Sequence, residues 1–131
     1  MLLLKAREAA MVRFRPLLHE YGLTEQQWRV LRALQDRGAM TASRLSRECT
    51  ILAPRMTRIL RRLVECEFVT AERSNSDLRE VEVRIAPRGA QVVADLGPDM
   101  ERQYAAILET LRPDEYAALT SALKRLIANG S

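Results

Sequence analysis

Several residue types that mark enzymes and secreted proteins are scarce in this chain. Its 131 residues include one histidine and two cysteines, Cys49 and Cys66, without a CxxC pair. So few cysteines exclude a disulfide-built scaffold and suit a reducing cytoplasm. The sequence also has no glycine-rich phosphate loop, no nucleophile elbow and no clustered metal ligands. We therefore expect a protein that is not an enzyme and that holds no metal or cofactor.

Aromatic residues and long apolar runs are rare as well. Aromatic side chains make up 5% of the chain, too few for the stacked platforms that bind single-stranded nucleic acid. No apolar run approaches the roughly 20 residues of a membrane-spanning helix. The opening residues, MLLL, are too few for the core of a signal peptide. These absences predict a soluble cytoplasmic protein without a membrane segment.

What the chain does contain is a moderate positive charge concentrated in its middle. The formal net charge is +4, and between residues 41 and 90 arginines outnumber acidic residues by ten to seven. A hydrophobic fraction of 47% is enough for a core, and the length fits a single domain, residues 1–131. The distribution of this charge says more about a partner than its total does.

The strongest concentration of charge lies between Cys49 and Cys66. On a helix that begins at Pro54, one face is apolar and comprises Met56, Ile59, Leu60, Leu63 and Val64. The opposite face is polar and basic and comprises Arg55, Thr57, Arg58, Arg61 and Arg62. Guanidinium groups so close together repel one another, and a polyanion would neutralise them. The alternative interpretation is a solvated basic face without a partner.

Two further helices are predicted before the basic one. Thr24 and Gln27 form the capping box of an amphipathic helix that ends near Gly38. The next helix begins at Thr41, and a tight turn then joins it to the basic helix. Two short helices joined by a tight turn, the second carrying the basic face, are typical of a helix-turn-helix.

The segment after Cys66 changes to an alternating pattern. Residues 68–73 and 81–85 predict two strands, and the polar residues 74–79 between them predict a turn. A hairpin directly after a recognition helix is a wing. Its tip carries Arg73 and Arg79, with Asp77 placed to pair with one arginine and leave Arg79 for a narrow minor groove. The alternative is a surface ion pair of little energetic value.

Both ends of the chain are helical and strongly apolar. The first helix covers residues 1–20, with a kink or a break expected at Pro16, and a long helix after residue 89 should kink at Gly97-Pro98. Their apolar faces exceed what one small domain can cover, which predicts a homodimer. The predicted fold is mainly α with a small β-hairpin wing: a winged helix-turn-helix lobe at 24–88 and dimerisation helices at 1–20 and 89–131. A symmetric dimer would present two recognition helices roughly 34 Å apart to a pseudo-palindromic double-stranded DNA.

These motifs resemble the MarR family of bacterial winged helix-turn-helix regulators over nearly the whole chain. The second helix of that family is matched by LTEQQWRVLRAL, the third by TASRLSREC and the fourth by APRMTRILRRLVE. The wing signature Asp-x-Arg is matched by RSNSDLRE, and the start of the fifth helix by RIAPRGAQVV. Within the family, the sequence is most similar to the branch that controls homoprotocatechuate (4-hydroxyphenylacetate) degradation operons. The resemblance implies a homodimeric repressor of an aromatic-acid catabolic operon, released from DNA by a small aromatic carboxylate.

The candidate DNA-contacting residues lie on two helices and the wing. They are Ser43, Arg44, Arg55, Thr57, Arg58, Arg62, Arg73, Asp77 and Arg79. The resemblance places an effector cleft where the dimerisation helices meet the DNA-binding lobe. A carboxylate there needs a cation or hydrogen-bond donors at the rim of an apolar pocket, and the candidates near that junction are Arg15, His19 and Trp28.

Two other functions stay open. A winged helix can be a protein-interaction module whose basic face meets an acidic partner, without sequence-specific DNA binding. Alternatively, Cys49 and Cys66 could sense oxidants, although both stand at apolar helix positions that favour burial. The chain also departs from the family pattern at Glu67, where glycine is usual, and at Ala86-Pro87, where Leu-Thr is usual.

Overall fold

Six helices and a three-stranded sheet make up the part of the chain that the computed structural model describes, residues 1–73 and 80–130. The order is α1 (Leu2–Glu20), α2 (Glu25–Arg37), β1 (Met40–Thr41), α3 (Ala42–Cys49), α4 (Ala53–Glu65), β2 (Val69–Arg73), β3 (Val81–Ile85), α5 (Pro87–Leu108) and α6 (Pro113–Asn129). No described helix has the length and apolar character needed to cross a membrane.

Helix α1 ends as its sequence predicts. Gly22 adopts a φ of 66°, a left-handed conformation that favours glycine because it has no Cβ. The N–H of Leu23 then donates to the carbonyl of Leu18 at 3.0 Å, and the N–H of Gly22 donates to the carbonyl of His19 at 3.0 Å. This pair of hydrogen bonds is the Schellman motif. Pro16 was expected to kink α1 or to mark a break, and the break does not occur, since α1 continues through that residue.

The helix-turn-helix consists of α3 and α4, and α2 supports both. The capping box of α2 is confirmed: the N–H of Gln27 donates to Thr24 Oγ1 at 3.1 Å, and the N–H of Thr24 donates to Gln27 Oε1 at 2.9 Å. Thr41 caps α3 by accepting a hydrogen bond from the N–H of Arg44 at 3.2 Å. Helix α4 has Pro54 in its first turn, where the missing N–H costs no intrahelical bond.

The sheet has one strand more than the predicted hairpin. Strands β2 and β3 pair antiparallel, with Arg73 opposite Val81, which confirms the two strands of the wing. The short strand β1 adds to the other edge of β3, with Met40 opposite Val83, so the strand order is β1-β3-β2. The turn at residues 74–79 lies outside the described residues, and so do the predicted wing positions Asp77 and Arg79.

The core lies between α2 and the elements around it. Its buried side chains come from the inward faces of α1 to α5 and from the sheet, and the most deeply buried include Val30, Leu31, Leu34, Leu45, Met56, Leu63, Val69, Val83 and Leu96. Helix α5 is likewise continuous through Gly97 and Pro98, the position at which a kink was expected. Helix α6 buries no residue within the single chain.

Candidate nucleic-acid interface and ligand cavity

The outward face of α4 is basic and exposed. Met56, Ile59, Leu60 and Leu63 are buried, whereas Arg55, Thr57, Arg58, Arg61 and Arg62 are exposed, as the helical pattern predicts. Val64 is an exception, because it was expected on the apolar face and is 41% exposed. The packing of the apolar face against the core therefore fixes a surface of four guanidinium groups that points away from the protein.

The arginines of α4 differ in their intramolecular contacts. Arg55 Nη1 donates to Gln26 Oε1 on α2 at 3.3 Å, and Arg62 Nη1 lies 3.4 Å from Glu65 Oε2. Within the described part of the chain, Arg58 and Arg61 form no ion pair and no side-chain hydrogen bond. Arg61 was counted in the basic face but was not among the predicted contact residues. Two charges at the centre of this face are therefore available to an external anion.

The other predicted contacts stand around this face. Ser43 and Arg44 are exposed on α3, and Arg44 Nε lies 3.8 Å from Glu48 Oε1. The hydroxyl of Thr57 donates to the carbonyl of Ala53 at 3.1 Å, which leaves its oxygen free to accept a hydrogen bond. Arg73 is exposed at the end of β2, at the base of the wing.

A cavity of about 270 Å³ opens where α1, α2 and α5 meet. Its walls are mainly aromatic and sulfur-containing side chains with three charged ones: Met11, Phe14, Glu25, Trp28, Arg32, Met100, Glu101 and Tyr104. Trp28 is 9% exposed and belongs to the core, and the rings of Phe14 and Tyr104 lie 5.9 Å apart at 41°. The aromatic walls suit a planar ligand of one ring.

Arg32 supplies the cation of this cavity. Its Nε donates to Asp36 Oδ2 at 3.0 Å, and its Nη2 reaches Glu101 Oε1 at the longer distance of 3.4 Å. The second contact joins two half-exposed or exposed side chains, so it contributes little to stability. A ligand carboxylate could replace Glu101 at that nitrogen.

The three ligand-site residues predicted from the sequence are divided between two places. Trp28 lines the cavity between the helices, whereas Arg15 and His19 line an open concavity of about 680 Å³ beside α1. Arg15 Nη2 donates to Glu8 Oε2 at 2.8 Å, and this hydrogen bond lowers the pKa of the Glu8 carboxyl. Arg32 and Tyr104, which sequence reasoning missed, accompany Trp28 instead. The signal for Arg32 was its position four residues after Trp28 on the same helix.

Glu25 connects the cavity to the helix-turn-helix. Its carboxylate accepts a charged contact from Arg7 of α1 at 3.1 Å and a hydrogen bond from Arg29 Nη2 at 2.9 Å. Arg29 Nε also lies 2.9 Å from Glu25 Oε1, but this atom is buried without the alignment of a hydrogen bond. Arg29 Nη1 donates to the carbonyl of Cys49, the last residue of α3. A continuous polar path therefore runs from α1 through Glu25 to the turn before α4.

The two cysteines differ in their burial. Cys49 is buried, its Sγ lies 3.8 Å from the carbonyl oxygen of Arg29, and burial raises the pKa of its thiol. A raised pKa leaves little of the nucleophilic thiolate at neutral pH. Cys66 is partly exposed and not in a disulfide. Among the described residues, no group of His, Cys, Asp and Glu side chains could hold a metal ion.

Comparison with known proteins gives a consistent match. The model of the MarR family matches residues 23–81, from just before α2 to the first residue of β3. The homoprotocatechuate degradative operon repressor of Escherichia coli is 33% identical over 98% of this chain and 87% of its own length.

Two solved structures are similar to the chain in both fold and sequence. The transcriptional regulator PA4135 is 40% identical, with a TM-score of 0.89 over 96% of this chain and 93% of that one. NadR in complex with 4-hydroxyphenylacetate is 33% identical, with a TM-score of 0.82 over 95% of this chain and 88% of that one.

Proposed function

The chain belongs to the MarR family of winged helix-turn-helix transcriptional regulators, and we propose that it is a homodimeric repressor that a small aromatic carboxylate releases from its operator. The observation that carries this proposal is the cavity that Phe14, Trp28 and Tyr104 line together with Arg32. Relatives support the same reading: one is a repressor of an aromatic-acid degradative operon, and another binds 4-hydroxyphenylacetate.

The chemistry of the cavity favours an aromatic acid over other small molecules. Its volume of about 270 Å³ stands near the lower end of the range for ligand pockets, which suits a single ring. The aromatic walls bury the faces of the ring, and Arg32 offers two nitrogens to a carboxylate. The Glu25 carboxylate, held by Arg7 and Arg29, can accept a hydrogen bond from a phenolic hydroxyl on the far side of such a ring.

A homodimer accounts for the apolar surface of the terminal helices. The large side chains exposed there are Leu2, Leu3, Leu4 and Val12 on α1, Tyr104 on α5, and Tyr116, Leu119, Leu126 and Ile127 on α6. A second copy that covers this surface would turn two α4 helices toward the same side of a DNA duplex, one helical turn apart.

Release from DNA follows from the position of the cavity. A ligand between α1, α5 and α2 favours the arrangement of these helices that binds it best, and α2 carries the helix-turn-helix with it through Arg29 and the carbonyl of Cys49. If the favoured arrangement changes the distance between the two α4 helices, they no longer fit successive major grooves. The ligand shifts the free energy between the two arrangements by the difference between its binding free energies for them.

The proposal is tested by fluorescence anisotropy with the DNA upstream of the protein's own gene. We expect tight, sequence-selective binding that 4-hydroxyphenylacetate or 3,4-dihydroxyphenylacetate relieves. Arg32→Ala should raise the acid concentration needed for release at least tenfold, since a hydrogen bond to a charged group contributes about 1.5–3 kcal/mol. Arg15→Ala and His19→Ala are the matched controls, because these residues line the other concavity.

Each contrary result removes a different part of the proposal. Selective binding that ignores both acids keeps the regulator and discards the aromatic effector. Loss of the response in Arg15→Ala or His19→Ala, with a normal response in Arg32→Ala, moves the effector to the concavity beside α1. Weak binding without sequence selectivity favours a protein-interaction module.

A further inference from the structure

An apolar tip stands at the start of α4, beside the basic face. Leu52, Ala53 and Pro54 are consecutive and all exposed. Leu52 is 81% exposed, and the large apolar side chains of the described residues that are at least as exposed are Met1 and Leu2, at the N-terminal end. Runs of three exposed apolar residues are unfavourable for a soluble surface unless a partner covers them. Dimerisation through α1, α5 and α6 would not cover a residue of the helix-turn-helix.

The stability of α4 does not account for a leucine at this position. Leu52 is the N-cap residue of α4 and makes no side-chain cap hydrogen bond. A serine, threonine, asparagine or aspartate there would satisfy a free N–H, as Thr24 and Thr41 do for α2 and α3. The chain thus has an uncapped recognition helix and an exposed isobutyl group in place of the cap.

The surroundings of Leu52 identify what would cover it. Arg55 and Arg58 follow on the next turns of the same helix, and Arg47 borders the same groove of about 470 Å³ beside Leu52. In helix-turn-helix proteins the N-terminal residues of the recognition helix contact base edges in the major groove. The one apolar group that base pairs present in that groove is the 5-methyl group of thymine.

We propose that Leu52 packs against the 5-methyl group of a thymine in each half of the operator and thereby determines sequence preference at that base pair. This inference rests on the operator binding proposed above. Arg55 and Arg58 hold the helix in the groove through charge, whereas Leu52 distinguishes thymine from cytosine and from purines by apolar contact. Because Leu52 would recognise thymine through its methyl group, removal of that methyl group should weaken binding. An arginine that recognises guanine would not respond to this change.

The test removes the methyl group and nothing else. A duplex is first selected by the wild-type protein from a random pool, and each thymine is then replaced singly by deoxyuridine. We expect about a fourfold loss of wild-type affinity at one thymine in each half, the effect of one buried methyl group. Leu52→Ala should bind the thymine and deoxyuridine duplexes equally, and Leu52→Met, which keeps an apolar side chain, should restore the difference.

Val64→Ala is the matched control, because Val64 is also an exposed apolar residue of α4 but lies near its C-terminal end. This variant should keep the wild-type response to deoxyuridine. The inference alone is overturned if no single replacement weakens wild-type binding, or if Leu52→Ala responds as the wild type does. Failure of the wild-type protein to select any sequence overturns the proposed operator binding and this inference together. Circular dichroism of Leu52→Ala should show the wild-type melting temperature, since the side chain is exposed.

Discussion

Replacement of Arg58 by alanine separates DNA binding from folding. The Arg58 side chain is exposed, and within residues 1–73 and 80–130 it takes part in no ion pair or side-chain hydrogen bond. Alanine also has a high helix propensity. We therefore expect the free energy of unfolding to change by less than about 0.5 kcal/mol, so that any loss of DNA affinity reflects the interface.

The salt dependence of binding gives the size of the effect. Each phosphate that a basic side chain neutralises contributes about 0.9 to the slope of log K against log salt concentration. Two copies of Arg58 in the proposed dimer would then contribute about 1.8. Between about 50 and 200 mM salt, wild-type affinity should fall roughly tenfold further than that of Arg58→Ala.

The assay is anisotropy on one duplex at several salt concentrations. Arg125→Ala on α6 is the control, because it removes the same charge from an exposed residue far from α4 in the sequence. A reduced slope assigns Arg58 to phosphate, whereas an unchanged slope with relaxed sequence preference assigns it to a base edge. If neither slope nor preference changes in Arg58→Ala, the assignment of the exposed face of α4 to DNA is refuted.

Four further predictions concern the fold and the thiol. A Cβ on Gly89 would lie 2.1 Å from the carbonyl oxygen of Phe68, so Gly89→Ala should destabilise the protein by about 1–3 kcal/mol in chemical denaturation; Gly97→Ala, with no neighbour closer than 3.7 Å, should not. Glu67 has a φ of 63°, and Glu67→Gly should stabilise by up to about 1 kcal/mol in the same assay, since a left-handed conformation strains a residue with a Cβ; a loss of stability would contradict this. Burial raises the pKa of the Cys49 thiol, so peroxide should leave the DNA affinity of a Cys66→Ala variant unchanged. For the same reason the free energy of unfolding should fall as pH rises above about 8.5, the ordinary thiol pKa, and Cys49→Ala should remove that fall.

The elements that the sequence predicted correctly are those whose signals are local. The capping box of Thr24 and Gln27, the left-handed Gly22 and the alternating strands of the wing each need only a few neighbouring residues. Strand β1 has no such signal. It consists of Met40 and Thr41 and exists because Met40 pairs with Val83, more than forty residues away. Two residues are too few for any alternation to show.

The two prolines show packing overriding a local preference. Pro16 and Pro98 each remove a hydrogen bond from a helix, yet α1 and α5 both continue through them. Buried residues stand on both sides of each proline, Phe14 and Leu18 in α1 and Leu96 and Met100 in α5. Most helix stability in proteins comes from such tertiary contacts rather than from propensity, so the helices continue.

The two candidate sites also differ in how far their signals are local in the sequence. The basic face lies on a single helix, and its 3.6-residue period was enough to divide α4 into a basic and an apolar side. The cavity takes Phe14 from α1, Trp28 and Arg32 from α2, and Tyr104 from α5. The chain has twenty-one basic residues, so charge type alone could not select Arg32 over Arg15 as the candidate partner of a carboxylate. That choice depends on how three helices cross, and no spacing within one helix contains this information.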